Sequence, residues 1–265
     1  MRNDFPEKLK VALRNELNKR RVFERIEIFR SNITEFKFPV RLLYELLLKI
    51  RARLFNLSLI HVIGDSHVKS YVMKSPFIVH HIYEATAHNI DKINSSSRSK
   101  QQIDDIISRL DRKRDVVLMV FGEIDARIHI YYQHEKQGKK KSINQLIDDT
   151  VADYMGKIAR IKDSGIDTCV YGITPASRMK ENTFNYPFYG TPEQRSRISR
   201  SFNEKLKNDC QRRHIPFIDI QSVAATEDGF IKDEYRLDEI HLNTRIVPFT
   251  RNAIEKAFEQ KRKFA

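Results

Sequence analysis

"LSLIHVIGDSHVKSY", residues 57–71, is the stretch whose reading decides the fold. An apolar run, Leu59 to Ile63, stops at Gly64, and Asp65, Ser66 and His67 follow before a mixed polar segment. A short apolar run closed by glycine reads as a buried strand. The triplet after it has two readings. In one, it caps the next helix, because Ser and Asp side-chain oxygens accept hydrogen bonds from the orphan N–H groups of a helix start. In the other, Ser66 is a nucleophile carried on a strand-to-helix turn. The triplet alone favours the cap, so the rest of the chain must decide.

Downstream, short apolar runs alternate with helical patterns. The predicted strands are "LIHVI" (59–63), "FIVHHI" (77–82), "DVVLMVF" (115–121), "DTCVYGI" (167–173) and "IPFIDI" (215–220), with helices over 101–111, 143–163 and 193–213. Strands alternating with helices predict a parallel sheet covered on both faces. Sites in such folds form at the carboxyl ends of the strands. Upstream, residues 7–30 read as a helix with Leu9, Leu13 and Leu17 four apart, and Pro39 opens a second helix ending near Leu54. The predicted organisation is a helical extension over 1–58 and an α/β domain over 59–265.

Charge separates these two parts. The chain of 265 residues has a net charge of +13, and residues 1–58 hold 14 Lys and Arg against 7 Asp and Glu. Such a balance suits a polyanionic partner: an acidic glycan, an anionic membrane surface or nucleic acid. No nucleic-acid motif accompanies the charge, so that partner ranks last. The extension is expected to pack an apolar stripe on the α/β domain or on a second subunit, with membrane docking as the lesser variant. At 40% hydrophobic residues the chain can bury a core, which excludes wholesale disorder. Two cysteines, Cys169 and Cys210, give no disulfide framework and no zinc spacing. "MRNDFPEKLK" lacks a signal-peptide apolar stretch, and "VRLLYELLLKIRARLF" (40–55) is too short and charged to span a bilayer. The expectation is a cytoplasmic protein with at most a peripheral membrane contact.

Two further motifs weigh on Ser66. "RLDEIHLN" holds Asp238 and His241 three residues apart, which on a turn puts both side chains on one side. The carboxylate can then hold one imidazole tautomer while the other nitrogen takes a proton from a serine hydroxyl. "VLMVFGEIDAR" (117–127) ends a buried strand at Phe121, and Gly122 opens a polar turn carrying Glu123, Asp125 and Arg127 at the sheet edge that holds Ser66. Histidines 80, 81 and 88 lack any metal motif, so no metal is predicted. There is no glycine-rich phosphate loop.

"IGDSH", "FGEID" and "DEIHL", in this order and spacing, resemble the SGNH hydrolase superfamily, the GDSL-type esterases. The resemblance spans about 59–245. It implies a three-layer α/β/α sandwich with a mostly parallel, flavodoxin-like five-stranded sheet. It also implies acyl-ester chemistry, often on acetylated carbohydrates, with Ser66 as nucleophile, His241 as general base and acid, and Asp238 as its orienting partner. That chemistry needs no cofactor. Acetyl-CoA enters as co-substrate only if the chain is an O-acetyltransferase rather than an esterase. The chain departs from the pattern at two places. No glycine occurs between His67 and Asp115, so Tyr83 or Glu84 stands where the family offers a glycine N–H to the oxyanion. In Gly122–Asp125, Ile124 replaces the family's asparagine donor. Losing one oxyanion donor costs about 10²–10³ in rate. Arg127 and Asn89 are the candidate substitutes. The alternative reading is a catalytically impaired binding module for an anionic glycan, nucleic acid or membrane.

Overall fold

A computed structural model describes residues 37–93, 95, 97–183 and 186–265. The helix expected over 7–30 lies outside the described residues. The chain divides between Leu47 and Leu48, inside the first described helix, α1 (Lys37–Leu54). That helix starts two residues before Pro39, which fits because a proline in the first turn withholds an N–H that has no helical partner there. Leu48 and Ala52 of α1 are buried. Val40, Leu42, Leu43, Leu46, Leu47, Ile50, Leu54 and Phe55 are exposed.

From Leu48 onward the order is β1 (Ile60–Gly64), β2 (Phe77–His81), α2 (Ser99–Ser108), β3 (Val116–Val120), α3 (Ile130–Lys136), α4 (Ile143–Asp163), β4 (Asp167–Tyr171), α5 (Pro192–Arg212), β5 (Phe217–Ile218), α6 (Gln221–Ala224) and α7 (Ile246–Phe258). The five strands form one parallel sheet in the order β2-β1-β3-β4-β5. This is the flavodoxin-type order, and its direction reverses between β1 and β3. The central strands are buried on both faces and split their side chains between two cores. Val117 and Met119 of β3 join a cluster with Tyr154 and Ile158 of α4 and Phe202 and Leu206 of α5. Val116, Leu118 and Val120 join Ile246, Ile254 and Phe258 of α7 on the other side. The result is the expected three-layer α/β/α sandwich.

The long helices start where local chemistry satisfies their first N–H groups. Ser142 with Gln145, and Thr191 with Gln194, form reciprocal capping boxes at α4 and α5, and Pro192 follows the second cap. The strand expected over 215–220 is limited to Phe217–Ile218, paired with β4 at the edge of the sheet.

Candidate active site

Ser66 and Gly122 follow β1 and β3, the two strands that flank the reversal in strand order. Gly64 lets these strands meet closely: a Cβ there would sit 2.2 Å from the Val120 carbonyl oxygen. Gly122 has φ +116°, and a Cβ on it would press on Ile173 at 2.7 Å, so this position also requires glycine.

The cap question resolves in favour of Asp65. Asp65 is the cap of a 3₁₀ turn over Ser66–Tyr71, and its carboxylate accepts from the His67 N–H at 3.0 Å. Ser66 is thereby left outside the capping bond, and its Oγ lies 2.7 Å from His241 Nε2. His241 Nδ1 lies 2.8 Å from Asp238 Oδ2. The other oxygen, Oδ1, accepts from the backbone N–H groups of Ile240 and His241 at 2.9 and 2.8 Å. Burial would raise the Asp238 pKa, but the His241 ring and these two N–H groups outweigh it and hold the carboxyl well below its ordinary range. Asp238 therefore stays ionised and fixes its proton-bearing partner as Nδ1, leaving Nε2 to face Ser66.

Around this chain stand further groups, one of which, Tyr186, the sequence did not single out. Tyr186 donates its hydroxyl to Asp238 Oδ2 at 3.1 Å, and its ring stands edge-on to His241. It sits in the irregular segment before α5, 52 residues from Asp238, and nothing local in "YPFYG" marks it. His67 packs edge-on against His241 with centroids 4.8 Å apart. Burial, then the neighbouring His241 and Arg127, lower the His67 pKa well below the ordinary value, so His67 is a neutral ring. Burial also pushes Asp65 up to about 8, against the His67 N–H bond and with Glu123 adding to the rise. Asp65, His67, Glu123 and Thr174 line one small cavity with Phe121 and Ile173.

The remaining candidates fall as follows. Gly122, Glu123 and Ile124 lead into a π-helical turn over Asp125–His129 rather than a plain loop. Such turns are rare and recur at functional sites. Asp125 is fully buried and accepts from the N–H groups of Ala87 and His88 at 2.7 and 3.3 Å. Burial pushes its pKa up to about 7 against those two bonds. Arg127 donates from Nε to Glu123 at 2.7 Å and from Nη1 to the Pro187 carbonyl at 2.5 Å. Two of its three nitrogens thus serve a salt bridge and a loop tether. Glu84 has φ +55°, the left-handed backbone that a glycine would adopt freely. Tyr83 is exposed and stacks on His81 at 4.0 Å. Asn89 spends its N–H on a turn closed by Thr86. Of the three weighed histidines, His80 contacts His61 at 2.9 Å and His88 pairs with Asp153 at 3.1 Å.

Solved structures share this three-layer α/β/α fold. A protein assigned as an acylhydrolase from Bacteroides fragilis superposes with a TM-score of 0.50 at 16% identity, over 76% of this chain and 86% of that one. A GDSL-like lipase from Bacteroides thetaiotaomicron superposes with a TM-score of 0.50 at 14% identity, over 76% and 87%. At these identities the likeness is one of fold. No protein-family model and no curated protein matches the chain.

Proposed function

We propose that this chain is a serine-dependent ester hydrolase of SGNH type. The observation that carries the reading is the unbroken Ser66–His241–Asp238 hydrogen-bonded chain at the carboxyl edge of β1. In this reading Ser66 Oγ attacks an ester carbonyl while His241 Nε2 takes its proton. His241 then returns the proton to the departing alcohol, and a seryl ester remains. Water attacks that ester, gives its proton to His241, and Ser66 is restored as the acid leaves. Asp238 stabilises the imidazolium that forms in each half.

The oxyanion donors in this reading are backbone N–H groups, those of Ser66 and of the Glu84 position. The left-handed φ of Glu84 supports the second, because it reproduces at a non-glycine residue the backbone a glycine would adopt. Ile124 supplies no side-chain donor, so turnover should be slow by about 10²–10³ relative to a complete site. Among substrates we put first an acetyl ester on an acidic glycan, since a net charge of +13 attracts such a polymer.

A fluorophosphonate probe and a soluble acetyl ester test the reading together. Ser66 should label, and Ser66→Ala should abolish both labelling and turnover. A folded protein that neither labels nor hydrolyses would replace this reading with the binding module.

A further inference from the structure

The exposed apolar side chains of this chain are not scattered. Fourteen large apolar residues are exposed among the described residues, and eight of them lie between Val40 and Phe55. Leu43, Leu47, Ile50 and Leu54 follow the i, i+4, i+7, i+11 spacing of one helical stripe, with exposures of 44–74%. Val40, Leu42 and Leu46 broaden it, and Leu48 and Ala52, the buried positions, fall on the opposite side of the helix. Single exposed leucines are ordinary, but a contiguous stripe of this kind marks an interaction surface.

The flanking charges select its occupant. Lys49 and Arg53 continue one border of the stripe and Arg51 stands on the other, all exposed. The helix has one acidic residue, Glu45, which is already paired with Arg41 at 2.8 Å. A second copy of the same surface would bring these basic borders together with no carboxylate on the helix to answer them. An anionic lipid surface answers both features at once. Its headgroups pair with the basic borders, and its interfacial hydrocarbon takes the leucines. No described helix is long and apolar enough to cross a membrane, so α1 would lie in the plane of the interface.

We propose that α1 docks this protein on anionic membranes, with the Val40–Phe55 stripe in the interface and Lys49, Arg51 and Arg53 on the headgroups. The chain from α1 runs into the amino end of β1, whereas Ser66 follows its carboxyl end.

The full-length protein is to be sedimented with phosphatidylcholine vesicles and with vesicles in which a third of the lipid is phosphatidylglycerol. Binding is expected on the second and not on the first, and to weaken as salt rises. Leu43→Glu with Leu47→Glu should reduce the bound fraction about tenfold or more, and reversing Lys49, Arg51 and Arg53 to Glu should do the same. Both variants change exposed side chains, and circular dichroism and gel filtration verify that each is folded. The proposal is overturned if the parent protein stays in the supernatant with anionic vesicles. Undiminished sedimentation of the leucine variant overturns it too. So does a parent dimer that this variant converts to monomer, which would assign the stripe to a second copy.

Discussion

Asp238 makes four hydrogen bonds, and each one bears on what His241 can do. Two backbone N–H groups hold Oδ1, while the His241 ring and the Tyr186 hydroxyl share Oδ2. Tyr186 is a positioning residue: it tempers the negative charge that Asp238 presents to His241. Tyr186→Phe removes that donation, so kcat/KM should fall by about tenfold or less. An unchanged rate would leave Tyr186 as packing only. Asp65 works through stability instead. Its carboxyl titrates near 8 in the fold against 3.8 for an unperturbed aspartate. Between these values the folded chain holds a proton that the unfolded chain has lost, so the Asp65 contribution falls as pH rises from about 4 to about 8. Asp238 has the opposite sign: held low, it stabilises above about pH 4 and loses that contribution as pH falls further. Asp65→Asn should therefore gain in melting temperature over the parent as pH increases from about 5 to about 8. A difference constant across that window would show that Asp65 is ionised throughout.

The π-helical turn over Asp125–His129 links two other segments to the site. Its Asp125 side chain carries the N–H groups of Ala87 and His88, which fixes the segment after β2 that includes Glu84. Its Arg127 reaches Pro187, the neighbour of Tyr186, and the Arg127 carbonyl accepts from the Tyr189 N–H. One short element thus orients both the candidate oxyanion donor and the Asp238 partner. Asp125→Ala would leave the buried Ala87 N–H and the half-buried His88 N–H without their acceptor, at a cost of about 1–3 kcal/mol. Turnover should fall further than fluorophosphonate labelling of Ser66, because the nucleophile and His241 stay paired while the oxyanion segment loosens. Equal loss of both would mean that Asp125 supports the whole site rather than that segment. Asp125→Asn, which retains one acceptor oxygen, should recover part of the loss.

At the scale of the molecule, the β1–β3 junction holds the site together, because it joins the two cores and carries Ser66 and Gly122 at its end. Gly64 is the position with least tolerance there. A methyl group would meet the Val120 carbonyl oxygen, a backbone atom that cannot swing aside. Gly64→Ala should cost about 3 kcal/mol or more, seen as a melting temperature lower by several degrees. A neutral substitution would show that β1 and β3 can separate without loss of the sheet.

The sequence by itself determined the parallel sheet, because apolar runs of strand length alternating with helical periods leave few other ways to bury both faces. It also determined the pairing of Asp238 with His241, since three residues on a turn bring two side chains together regardless of the rest of the chain. Only the tertiary structure decided that Asp65 is the cap and Ser66 meets His241, a contact across 175 residues. It alone brought Tyr186 to Asp238, gave Glu84 its left-handed backbone, and spent Arg127 on Glu123 and Pro187. In each case the sequence shows what a side chain can donate, accept or bury, while the partner comes from a distant segment whose approach is set by the packing of the whole sheet.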